Sequence, residues 1–246
     1  MSSYYDEVAL KGLQLAANDL ERGVLNEAQL ERIRESVKQL VADLDRHSDD
    51  DSQAANADAD SADALAPSLA EQDPPKRLPP EGMAPSAEQL PREWQSESAV
   101  LCIAGRGPLD EAASEILAQL LHKHGFGAQV LPYEAASRTN IARLNAAGVA
   151  MICVSYLEIS GSPSHLRYLM QRLRNRLPGR PILVGLWPAE DAVLKNPRIR
   201  SVVGADDYTT SLHTAVEACI RHARAEADMV SRPEIAAAPS LARSSP

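Results

Sequence analysis

The chain has 246 residues, 44% of them hydrophobic, enough for one sizeable core, and a formal net charge of −9. That acidic balance excludes a general nucleic-acid binder, which needs a basic surface to neutralise phosphates. No apolar run approaches the ~18 to 20 residues that span a bilayer, and the amino terminus MSSYYDEVALKG lacks a basic segment followed by an apolar one, so a cytoplasmic protein is expected.

In chain order, residues 4–22 read as a helix whose Ala9, Leu13, Ala16, Ala17 and Leu20 form one apolar stripe, ended by Gly23. A second helix follows. Asn26 with Gln29 resembles a capping box, and Leu30, Ile33, Val37, Leu40 and Leu44 alternate at spacings of three and four, as a coiled-coil seam does. Residues 1–46 therefore form a helical hairpin too small to fold alone. It either packs on its own downstream domain or serves for oligomerisation or partner docking, and the expectation is a homo-oligomer through residues 1–46.

Residues 47–97 shift to Ala, Asp, Ser, Pro and Glu, and read as a disordered acidic, Pro-rich linker. Trp94, near its end, is expected to pack on the edge of the next domain. Residues 98–224 alternate strands and helices with short links, the pattern of a parallel doubly wound sheet. The strands are placed at 99–104, 128–131, 149–154, 181–186 and, briefly, 201–203, which suits a five-stranded flavodoxin-like α/β sandwich. The helices carry Ile116, Leu117, Leu120 and Leu121; Ile141 and Leu144 in a short second; Leu166, Leu169, Met170, Leu173 and Leu177; and Leu212, Val216 and Ile220. Residues 225–246 lose this periodicity and read as a disordered tail. Cys102, Cys153 and Cys219 are spaced too widely for a zinc motif and fall inside predicted strands and a helix, as small apolar fillers.

The run at 149–154 is unbroken and β-branched, as suits a strand buried on both faces, so the domain centre lies there. It leads into a small, hydroxyl-rich loop, and Ser162 with Pro163 opens the next helix. Ligands of open α/β sheets sit in such loops, which makes Ser155, Tyr156, Ser160 and Ser162 candidate binding residues. Arg106, Gly107 and Asp110, in the turn after the first strand, join them, as does Trp187 at the end of the fourth. The first turn can cradle phosphate at a helix start. It lacks GxGxxG and GxxxxGK[ST], and Asp110 and Glu111 repel an anion, so it reads as structural. A phosphoacceptor receiver needs an aspartate where Ser155 stands and a lysine after the fourth strand, where Leu186, Trp187 and Pro188 stand. His165 has no evident triad partner and reads as solvated or capping. Arg167, Arg172, Arg174, Arg176 and Arg180 make the third helix and its exit locally basic. No acid, base, nucleophile and oxyanion donors converge, so no enzyme activity and no metal centre are expected.

The spacing of LLHKHGFGAQVLP, SYLEISGSP, VGLWP and GADDYTTS resembles the cobalamin-binding domain. In that family the first turn reads Asp-x-His-x-x-Gly, and these positions fall on Pro108, Asp110 and Ala113 here. The resemblance thus implies the fold, and no cofactor or a cobalamin without a histidine lower ligand. It further implies that Trp187 fills the space which paired glycines, here reduced to Gly185, open for a nucleotide tail. YYDEVALKGLQLAANDLERG and VLCIAGRGPLDEAAS are similar to the cytoplasmic carboxy-terminal extension of bacterial permeases of the autoinducer-2 exporter type. That similarity implies a soluble, non-enzymatic regulatory or sensory module, peripheral to the inner membrane through a membrane permease. The alternative it leaves is a small-molecule sensor holding cobalamin or another flat ligand over Ser155, Tyr156 and Ser162.

Overall fold

The computed structural model describes residues 2–46, 90–157, 164–187 and 197–231. Strands β1 (Val100–Ala104), β2 (Ala128–Leu131), β3 (Met151–Tyr156), β4 (Ile182–Leu186) and β5 (Asp207–Thr209) form one parallel sheet in the order β2-β1-β3-β4-β5. Every residue of β1, β3 and β4 is buried, which explains their unbroken apolar sequences: both faces of the sheet are covered. Because side chains alternate, the strands feed two cores. Val100, Cys102, Met151, Cys153 and Leu183 pack under α3 (Pro108–Lys123) and α6 (Leu212–Ser231). Leu101, Ile103, Ile152, Val154 and Val184 pack under α4 (Ser164–Arg176), with Val203 of α5 (Pro197–Val203) at the margin.

The amino-terminal hairpin lies outside the first of these layers. Its first helix, α1, comprises Ser2–Tyr4, a π-helical turn Tyr5–Ala9 and Leu10–Glu21. The second, α2 (Glu27–Asp45), opens with the expected capping box: Asn26 accepts from the Gln29 amide, and the Gln29 side chain accepts from the Asn26 amide, both at 2.9 Å. The seam Leu30, Ile33, Val37, Leu40 and Leu44 packs onto the core cluster of α3, within the same chain. Polar ties hold the hairpin there. Asp6 accepts from the Leu212 amide at 2.6 Å and caps α6 from outside; Lys123 donates to the Leu44 carbonyl at 2.9 Å; and Tyr5 donates to the Gln119 side chain. The Arg34–Glu111 pair at 3.5 Å adds little, since a surface ion pair is worth about 0.2–1 kcal/mol, against roughly 1.5–3 kcal/mol for one buried Leu or Ile.

Four expectations are corrected. Residues 201–203 are helical, not a strand: Pro197 occupies the first helical turn and Gly204, at φ +77°, closes it, so the fifth strand is displaced to β5. Ile141 and Leu144 belong to no α-helix. The link from β2 to β3 carries 3₁₀ turns at Tyr133–Ala136 and Ile141–Arg143, with the Asn140 amide bonded to the Ser137 hydroxyl. Of the expected linker 47–97, residues 90–97 are folded: Arg92–Gln95 is a 3₁₀ turn, and Trp94 is buried edge-on against Phe126 and donates to Glu226 at 2.7 Å. Gly127 makes this approach possible, because a Cβ there would lie 1.7 Å from the Ser96 carbonyl oxygen. Finally, α6 continues to Ser231, so the first residues of the expected tail 225–246 are helical. Residues 47–89 and 232–246 lie outside the described residues.

Candidate functional site

The strand order reverses between β1 and β3, and open α/β sheets bind ligands at that crevice, at the carboxyl ends of the strands. Asp110 stands there, in the first turn of α3. Its Oδ2 accepts from the Arg106 amide and its Oδ1 from the Leu157 amide, each at 2.8 Å, so one carboxylate joins the loop after β1 to the end of β3. Asp110 and Ser155 thus share one end of the sheet; the Gly105 amide donates to the Ser155 carbonyl at 2.9 Å. Burial raises the Asp110 pKa to about 6, against the pull of its amide donors and of Arg106. The phosphate-cradling geometry expected as an alternative at Gly107 is filled from within. The amides and helix dipole that would face an anion already face the Asp110 side chain.

Two aromatic rings lie on two glycines at the same edge. A Cβ on Gly105 would meet the Tyr156 ring at 2.5 Å, and a Cβ on Gly185 would meet the Trp187 ring at 2.5 Å. Tyr156 and Ser155 end β3 itself rather than beginning the loop. By alternation Ser155 points to the α3 and α6 face, in register with Gly185, on the side where Trp187 packs. Ser155 Oγ and Trp187 Nε1 are both buried without a hydrogen-bond partner. Tyr156 points to the α4 face, where its hydroxyl meets His165 Nδ1 at 3.2 Å. Burial raises the Tyr156 pKa, Asp110 adds to the rise, and Arg106 and Arg172 oppose it. Burial, then the charges of Arg106 and Arg172, hold the exposed His165 imidazole below its usual value.

A cavity of about 340 Å³ opens beside the switch point. Arg106, Gly107, Asp110 and Leu157 form its floor, and Ala17, Leu20 and Glu21 of α1 form its outer wall. The volume is at the small end of the range for ligand pockets, and both the sheet edge and the hairpin contribute to it.

Of the residues expected from sequence, Arg106, Gly107, Asp110, Ser155, Tyr156 and Trp187 all come to this one edge, on two faces of the sheet. Ser160 and Ser162 lie outside the described residues. His165, read as solvated or capping, is exposed and its Nδ1 meets the Tyr156 hydroxyl; Arg172 follows it by seven residues, two turns further along α4. The hairpin wall carried no sequence signal, because nothing local says which helix α1 covers. Among the described residues no group of three His, Cys, Asp or Glu is arranged to hold a metal ion, and no helix is long and apolar enough to cross a membrane.

The edge does not fit a cobalamin. At the position of the metal-binding histidine both Asp110 oxygens are engaged by backbone amides, and the Trp187 ring covers the Gly185 backbone where a nucleotide tail would enter. No family model and no curated protein matches this chain.

Proposed function

We propose that the chain is a non-enzymatic regulatory or sensory module, in which the α/β domain presents a small-molecule site at its carboxyl edge and the hairpin reports on that site. One observation carries the reading: the cavity at the switch point is walled jointly by the loop at Arg106–Asp110 and by Ala17, Leu20 and Glu21 of α1. A ligand seated there touches both parts, so its binding energy differs between docked and displaced positions of the hairpin, which is the condition for coupling. The non-enzymatic half of the proposal rests on what the polar groups do. Asp110, the best-placed acid, spends both oxygens on backbone amides, and Tyr156 is tied to His165.

The partner in this proposal is a membrane permease, as the resemblance to exporter extensions implies, with the chain held at the cytoplasmic side through that protein. The test is co-sedimentation of the full chain with membrane vesicles from its own cells, followed by cross-linking. The reading predicts saturable retention that protease-stripping of the vesicles abolishes, with cross-links to a polytopic permease. Retention no greater than on protein-free liposomes of the same lipids would contradict it.

A further inference from the structure

The outer face of the hairpin is left unfinished by its own domain. α1 and α2 both pack on the core cluster of α3, and a trough of about 610 Å³, lined by hairpin residues alone, lies between them. Leu25, Ile33, Val37 and Leu40 make one wall and are only half-buried; no residue of α2 is fully buried. Val8, Gly12 and Ala16 make the other. Val8 and Leu15 stand 53% and 67% exposed, two turns apart on one side of α1. Single exposed apolar side chains need no explanation, but a pair bordering an apolar trough marks an interaction surface.

Gly12 lies between these two side chains, inside a regular helix. A glycine there costs about 1 kcal/mol relative to alanine. Nothing among the described residues requires it, since a Cβ would meet no atom within 4 Å. Bare backbone between two protruding apolar side chains is a hole flanked by knobs, and such a surface is its own complement across a two-fold axis.

We infer that the hairpin is the surface through which two copies of this chain pair: α1 of a second copy lies antiparallel in the trough and crosses at Gly12. With the axis beside Gly12, positions whose numbers sum to about 24 meet. Val8 of one copy then faces Ala16 of the other, and Leu15 faces Ala9, a large side chain against a small one in each case. The charges agree with this direction. The turn between Glu21 and Glu27 reverses the chain and sets Arg32 level with Ala16 across the trough, so Glu7 of the second copy comes beside Arg32, twice by symmetry; both side chains are exposed. The 19 residues of α2 extend about 28 Å, and two helices side by side span about 20 Å. With the walls of the trough, that face is on the order of the 800 Å² per partner that a stable complex buries. The cavity at the sheet edge uses Ala17, Leu20 and Glu21 instead, so this inference does not rest on the sensory reading.

The test is sedimentation equilibrium of the full chain from about 5 to 200 µM, with variants that spare the protomer fold. The unaltered chain should dimerise over this range. Gly12→Gln places a better helix former in open space, so it should leave the urea midpoint unchanged or raised while weakening the dimer about tenfold or more. Glu7→Lys and Arg32→Glu should each weaken it about threefold or more, and the two together should restore it, because the exchanged charges face each other between copies. A chain that stays monomeric throughout overturns the proposal and leaves the trough to another occupant. A dimer whose dissociation constant is unchanged in Gly12→Gln, or one that the double variant holds no more tightly than the single ones, overturns it as well.

Discussion

Asp110 is the residue on which the candidate edge depends, and its chemistry leads to a test with a definite sign. Its folded pKa is about 6, raised by burial from an ordinary value of 3.8. A carboxyl raised on folding contributes stability that is fully present below the unfolded value and lost as pH rises through the folded one. The chain should therefore gain stability from this group as pH falls from 7 to below 4. In Asp110→Asn that component disappears, and one of the two backbone amides faces an amide nitrogen rather than an oxygen, a loss of about 1–3 kcal/mol. Urea unfolding of both proteins at pH 5 and pH 7 should show the wider gap at pH 5; a gap that is equal or wider at pH 7 would refute the assignment. Gly185 makes a second case. A methyl placed 2.5 Å from the buried Trp187 ring forces that ring to move, so Gly185→Ala should shift Trp187 emission to the red and cost roughly 1–3 kcal/mol. Unchanged emission and stability would show that the ring does not rest on the glycine. Asp110 and Trp187 were visible in the sequence because strand ends and helix starts are readable locally. The Tyr156–His165 contact was not, because it depends on how α4 returns across β3.

At the scale of elements, the hairpin is fastened by an unusual cap. Ser211 already caps α6 conventionally, accepting from the Thr214 amide at 3.1 Å, while Asp6 accepts from the Leu212 and His213 amides across the chain. Burial raises the Asp6 pKa, and those amide bonds resist the rise. Asp6→Ala should cost about 0.5–2 kcal/mol and raise hydrogen exchange both in α1 and in the first turn of α6. Faster exchange confined to α6 would mean that α1 is held by its apolar stripe alone. The same elements show what a sequence makes plain. β1, β3 and β4 were legible because strands buried on both faces must be continuous apolar runs, and the Asn26 box was legible because it is a contact between near neighbours. The fifth strand was misplaced because Ser201–Val203 and Asp207–Thr209 are each three residues long, and only the Pro197 and Gly204 punctuation decides between them. Trp94 was correctly expected at a domain edge, but its polar composition hid the folded turn around it.

For the whole molecule, the sequence leaves open whether the hairpin packs on its own domain or serves for docking and oligomerisation; in the structure it is the outer layer of the domain and one wall of the cavity. Its seam lies half-buried against α3, and the three cysteines beneath show how continuous that core is: Cys102 and Cys153 lie in register on β1 and β3, and Cys219 of α6 approaches Cys153 at 3.8 Å. The docked position of the hairpin depends on this continuity, since its apolar seam packs against the core cluster of α3. The most direct measurement is hydrogen exchange by mass spectrometry across a urea series. The account predicts that peptides from 10–21 and 30–44 lose protection at the same midpoint as peptides from β1 and β3. Exchange of the hairpin peptides at a much lower urea concentration, with the sheet still protected, would contradict it.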